Sequence, residues 1–164
     1  KTDTRKGRIG TRFNGIFYDD FSWFFSQKLS FDTFQDLDLR AEEALGLSYS
    51  IIEKTKLSFT LNFGVARVDS FYDPGEDQGF FGIPLGFDAN WDITEQLHFS
   101  HNTTWVSSSS ELANYIVSAH SKLELSLDKN WAVNTKHEMA TTSQPPIGKK
   151  KTDHSLSIKL SYKF

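Results

Sequence analysis

The stretch Leu156-Ser157-Ile158-Lys159-Leu160-Ser161-Tyr162-Lys163-Phe164 decides the fold class. In an extended chain Leu156, Ile158, Leu160, Tyr162 and Phe164 point one way, while Ser155, Ser157, Lys159, Ser161 and Lys163 point the other. A helix would scatter these apolar residues around its circumference. The period of two specifies a strand with one apolar and one polar face.

The same period runs upstream. Tyr115, Val117, Ala119, Leu123, Leu125 and Leu127 alternate with Ser118, His120, Lys122, Glu124 and Ser126. Leu57, Phe59, Leu61, Phe63 and Val65 alternate with small or polar residues, and so do Phe81, Ile83, Leu85, Phe87, Ala89 and Trp91. Nine segments are predicted, near 8–18, 21–34, 38–51, 56–72, 79–91, 96–108, 112–127, 131–142 and 153–164. Their connections alternate in length. Asp19-Asp20, Glu53-Lys54-Thr55, Asp92-Ile93-Thr94-Glu95 and Asp128-Lys129-Asn130 are tight, whereas Asp69 to Gly79, Ser107 to Ala113 and Thr142 to Asp153 are loose. Tight turns at one rim and long loops at the other describe an all-β, antiparallel, up-and-down transmembrane β-barrel.

The bulk numbers agree with that reading. The 164 residues fit one domain, 1–164, and a formal charge of -3 points to no nucleic-acid partner. There are no cysteines, which removes disulfides, thiolate metal sites and cysteine nucleophiles. No stretch reaches the roughly 20 apolar residues of a membrane helix, and mean hydropathy is -0.44. A spanning barrel escapes that test, because every second residue faces the lumen. The sequence opens on Lys1, so a processed or truncated start is expected.

Aromatics form 15% of the chain and gather at the strand ends. Phe17, Phe21, Trp23, Tyr49, Trp91, Trp131, Tyr162 and Phe164 fall near the tight-turn rim. Phe31, Phe71, Tyr72, Phe81, Trp105 and Tyr115 fall near the long-loop rim. Amphipathic rings prefer the headgroup layer, so two belts mark a bilayer. Phe81 to Trp91 spans about 33 Å of extended chain, which tilts to roughly 25 Å, the height of the apolar band of such barrels. The competing reading is a soluble sandwich or calycin-like barrel, whose strands are usually shorter and whose loops are less regular.

Three stretches carry a family resemblance. The first is Asp36-Leu37-Asp38-Leu39-Arg40 followed by Gly46-Leu47-Ser48-Tyr49; the second is Pro145-Pro146-Ile147-Gly148-Lys149-Lys150-Lys151-Thr152-Asp153. The third is the terminal Leu160-Ser161-Tyr162-Lys163-Phe164. With them the chain resembles the salt-stress-induced outer-membrane protein family (YdiY-like), a domain of otherwise unassigned function. The resemblance implies a bacterial outer-membrane location with the C-terminus in the periplasm. It also implies that the closing aromatic strand, with Leu156, Ile158, Leu160, Tyr162 and Phe164, is the signal read by the barrel-assembly machinery. Trp91 and Trp131 are expected to anchor the barrel at the tight-turn interface. The likeness covers the chain but only the later part of the family's domain, since a Gly-Asn-Thr turn of the earlier strands is missing. Nine strands leave open edges in lipid, so about twelve are expected in the intact barrel, with three more strands or a second chain completing it.

Alternation places Arg12, Lys28, Asp32, Arg40, Glu42, Lys122, Glu124, Lys136 and Glu138 in the lumen. Mixed charges there serve either as paired structural lining or as a selective conduit. Lys122, Glu124, Lys136 and Glu138 lie on neighbouring strands, where cross-strand pairing is easy. The acidic loop from Asp69 to Asp77 offers hard oxygen ligands but matches no calcium-loop spacing, so an exposed turn is expected. Lys149, Lys150 and Lys151 form either a solvated loop or a contact with lipopolysaccharide phosphates. His98 and His101 fall on opposite strand faces, which disfavours a shared metal. Ser107 to Ser110 lies at a rim but shows no nucleophile elbow or partner. No cofactor and no catalysis are expected.

Glu43, His101 and His137 break the outward apolar pattern. Either a bulge near Ala41-Glu42-Glu43 returns Glu43 to the lumen, or these residues touch other outer-membrane proteins. The expected role is therefore structural or pore-like. The alternative is a barrel anchor whose loops bind a partner protein or lipopolysaccharide.

Overall fold

The structure, a computed structural model, describes residues 5–162. It is one nine-stranded antiparallel sheet in sequence order: β1 Lys6–Tyr18, β2 Phe21–Asp32, β3 Leu37–Lys54, β4 Leu57–Tyr72, β5 Gln78–Asp92, β6 Leu97–Ser108, β7 Tyr115–Ser126, β8 Trp131–Thr142 and β9 Thr152–Tyr162. Each strand pairs with the next in chain order. The sheet is rolled: Arg8 of β1 bonds to Glu138 of β8 across the inner face. β1 and β9 end the ladder and do not pair with each other, so the barrel is unclosed among the described residues.

Boundaries differ from the sequence reading at several ends. The β3–β4 hairpin extends to Lys54 and turns on Thr55 and Lys56, because its register persists past a bulge between Ser50 and Ile52. β2 stops at Asp32, whose side chain accepts from Phe34 N (3.1 Å) and opens a 3-10 turn, Thr33–Gln35. Asp36, left-handed at φ 53°, then redirects the chain into β3. β7 begins at Tyr115 rather than near 112, because the Ser108 hydroxyl accepts from Ser110 N and Glu111 N and holds the preceding residues in a turn. At the tight rim Asp128 accepts from Asn130 N and Trp131 N (2.7 and 2.8 Å), an Asx turn that sets the β7–β8 register.

The faces are inverted relative to a soluble protein. Phe81 (65% exposed), Val65, Leu156, Ile158 and Leu160 stand bare on the outer face. Ser48, Asn62, Ser70 and Ser108 are buried on the inner one. Rings pack in tilted pairs at the tight-turn end, Phe21 on Tyr49 (4.6 Å) and Trp131 on Tyr162 (4.8 Å), and Trp105 meets Tyr115 edge-on (6.4 Å) toward the other. Tyr72 does not join the outer belt. It is buried, and its hydroxyl accepts from Arg40 on the inner face. Phe164 lies outside the described residues.

The interior is not uniformly polar. Ala66, Val68, Val106 and Ile116 form a buried cluster, with Ala44 and Phe80 against it. Phe24, 3% exposed, fills the space above Gly46. A Cβ on Gly46 would fall 2.6 Å from the Phe24 ring and 2.3 Å from the Phe63 carbonyl, so glycine is required by close approach.

Candidate functional site: the barrel lumen

Inward residues from all nine strands build the lumen in three levels. At the waist a polar bridge crosses from β1 to β6. Arg12 donates to Asn14 Oδ1 (2.9 Å), Ser48 Oγ (3.1 Å) and Asn62 Oδ1 (2.8 Å). Ser48 also donates to Asn62 Oδ1 (2.6 Å). Asn62 and Asn102 then each donate to Asp88, both at 2.6 Å. The Arg12 guanidinium lies 4.1 Å from the centre of the Phe24 ring, so the bridge is stacked as well as hydrogen-bonded. Asn62 is the linchpin because it accepts from the cation side and donates to the anion side. Replacing it with alanine leaves Arg12 and Asp88 each short of one partner. Asn62→Ala is expected to destabilise by about 2 kcal/mol in a denaturant titration, while the half-buried control Thr60→Ala stays nearer wild type.

Toward the long-loop end the lumen widens into a cavity of about 480 Å3. Its walls carry ion pairs: Lys6–Asp32 (3.0 Å), Lys28–Glu42 (2.8 Å), Arg8–Glu138 (2.6 Å) and Lys136–Glu138 (2.9 Å). Arg40 is held by two hydroxyls instead, donating from Nε to Ser70 Oγ (2.9 Å) and from Nη2 to Tyr72 Oη (3.0 Å). Arg8 also meets His120 Nε2 at 2.7 Å. The β8–β9 loop straps this mouth: Lys149 reaches Asp36 (2.8 Å) and the Phe34 carbonyl (2.8 Å), and Gln35 donates to Asp153 (2.6 Å). Lys150 and Lys151 thereby come to line the cavity.

Toward the tight-turn end lies a third space, of about 650 Å3, lined by Lys122, Glu124, Asn134, Lys136 and Lys159. The cross-strand pairing expected of Lys122, Glu124, Lys136 and Glu138 does not form. Lys122 bonds Glu124 (2.5 Å) and Lys136 bonds Glu138 within their own strands, because the register sets Lys122 opposite Lys136 and Glu124 opposite Asn134. Alternation alone does not give register, which needed the turn between β7 and β8.

On the outer face no bulge intervenes near Glu43, which stays in register with Gln27 and Arg67. Gln27 donates to Glu43 (2.9 Å), and Arg67 pairs with Asp69 (2.5 Å) while stacking on Phe81 (4.8 Å). His101 contacts Ser121 and Thr103, and His137 stacks on His154, with Nε2 and Nδ1 3.3 Å apart. Leu156, Ile158, Leu160 and Tyr162 are exposed along β9, and Trp91 and Trp131 are half bare at the ends of β5 and β8. In the acidic loop Asp69 is engaged by Arg67 and Asp77 by Tyr72 N. Among the described residues no group of three His, Cys, Asp or Glu side chains converges on a point.

The sequence reading missed Asn14, Ser48, Asn62, Asp88 and Asn102. Their signal was an amide, a hydroxyl or, at Asp88, a carboxylate at inward positions of β1 and β3–β6, which only register turns into a chain of contacts.

Residues 1–164 match, over the whole chain, a family described as "Protein of unknown function, DUF481". The chain belongs to that family. It comprises salt-stress-induced outer-membrane-like proteins. The fold is also that of a solved porin: the "NanC porin structure in rhombohedral crystal form" aligns with a TM-score of 0.61, 12% sequence identity, and coverage of 97% of this chain and 79% of that one. None of the curated proteins matches in sequence. The DUF481 chain and the porin thus share a fold, with few residues in common.

Proposed function

We propose that this DUF481 chain is an integral outer-membrane β-barrel with a structural or pore-like role and no catalysis. The observation that carries the reading is the inversion of its faces. Nine strands display apolar side chains outward and bury serine, asparagine and charge inward. In water that outer surface would be one large aggregation-prone patch; in lipid it is the solvated face. The porin-like fold supports the same reading. So does the architecture of the rims, with tight turns at the end assigned to the periplasm, where β9 also finishes.

The free edges of β1 and β9 bear on closure. Unpaired backbone groups are not tolerated in hydrocarbon, so further strands pair there, giving an even-numbered barrel of about twelve. The assembly machinery, lipid and lipopolysaccharide are the partners this reading requires. The protein is expected to migrate faster unheated than boiled on a denaturing gel, and to give discrete current steps in a planar bilayer. A water-soluble, heat-insensitive monomer would sink the barrel; a silent bilayer would leave a barrel with a structural role only.

A second reading rests on the outer polar residues. Gln27 with Glu43, and His137 with His154, are poor neighbours for acyl chains. They favour a barrel that anchors a larger assembly through this face. Photo-crosslinking from position 43 in cells should then trap one discrete protein adduct rather than lipid alone.

A further inference from the structure

We propose that the long-loop mouth of the lumen is a binding site for a small organic anion carrying a carboxylate or phosphate group. The inference deepens the barrel reading above and rests on the lumen being its water-filled interior. The cavity there, about 480 Å3, is the size of a small-molecule site. It is lined by seven lysines and arginines against four aspartates and glutamates, so it is cationic inside a chain that is acidic overall.

The excess is localised. Lys6 and Lys28 each have a carboxylate of their own, and Arg8 and Lys136 share Glu138. Arg40 has none among the described residues: its contacts are the hydroxyls of Ser70 and Tyr72. These use two of its five N–H donors and fix the plane of the guanidinium, leaving the rest for a ligand. An arginine oriented in this way suits the two-pronged oxygen geometry of a carboxylate or phosphate.

Lys150 and Lys151 supply the second half of the site. Neither has an ion-pair partner among the described residues, and both line the same cavity as Arg40. They are placed there by their neighbour Lys149, whose ammonium is tied to Asp36 and to the Phe34 carbonyl. The lysine run is thus divided, one residue fastening the loop and two lining the mouth. Deeper in, Ile116 lines both this cavity and the next one, where Phe24, Val68 and the Arg12 bridge narrow the passage. An anion entering from the loop side meets opposing cations before it meets that narrowing.

The test is calorimetric titration of the native full-length protein in neutral detergent at low salt. The probes are glutarate, inorganic phosphate and uncharged sorbitol. Saturable binding of at least one anion and none of sorbitol is expected, about tenfold weaker in the triple variant Arg40→Gln, Lys150→Gln, Lys151→Gln. Retained heat-modifiable migration shows that this variant folds, and single Lys150→Gln and Lys151→Gln variants, in the loop between β8 and β9, serve if it does not. The proposal is overturned if neither anion saturates, if the variants bind as wild type does, or if only micelles of anionic lipid bind. The titration needs no flux. Binding without conductance would sink the pore reading alone, and conductance without binding would sink this proposal alone.

Discussion

Replacing Leu85 with arginine is expected to lower stability in phospholipid vesicles by about 2–4 kcal/mol. Leu85 sits in the middle of the outward series Phe81, Ile83, Leu85, Phe87 on β5, opposite Phe63 and Trp105. It is 44% exposed. In a soluble sheet such a position would accept arginine almost freely, within about 0.5 kcal/mol. In a bilayer the same position lies farthest from either headgroup layer, and the guanidinium must be dragged toward water or neutralised. The measurement is urea unfolding in vesicles, read by the mobility difference between folded and unfolded protein. The contrasting variant is Thr104→Arg on the inner face of the neighbouring strand, where a cation meets a polar lumen and the loss should be much smaller. Equal losses at the two positions would contradict the assignment of faces.

The second large effect is inside. Phe24→Ala should destabilise by about 3–5 kcal/mol, the range for removing a buried phenylalanine side chain. Phe24 is 3% exposed, stacks under the Arg12 guanidinium and occupies the hollow over Gly46. Few neighbours can move into the space, because Gly46 and the facing Gly64 carry no side chains. The variant also removes the apolar half of the waist. If the barrel conducts, its single-channel steps should grow as stability falls, a pairing that a merely structural filler outside the passage would not produce. Unchanged steps in a destabilised Phe24→Ala barrel would place the narrowest point elsewhere.

These two residues also mark how far strand alternation alone carries. Leu85 belongs to an unbroken alternation, and its direction follows from the period of two. Phe24 belongs to the same alternation, but Trp23-Phe24-Phe25 are aromatic on both faces, so the strand itself does not say that one ring fills a lumen. Glu43 is the converse case: a charge in an outward position invited a bulge, and the structure instead keeps the register and gives it Gln27. The lysine run was legible as charge and silent about direction, since loop residues have no periodicity to orient them.

By itself, then, the alternation that ends at Tyr162 determined the number of strands, their antiparallel order, the two rims and the inverted faces. All four depend only on near-neighbour geometry, in which a side chain's face is set by its parity along the strand. Which inward residues touch, and across what distance, was decided by the tertiary structure alone. Register couples strands through turns and bulges, and the roll of the sheet brings Arg8 to Glu138, and Lys149 to Asp36, from opposite ends of the chain. Parity fixes the side; only the rolled sheet fixes the partner.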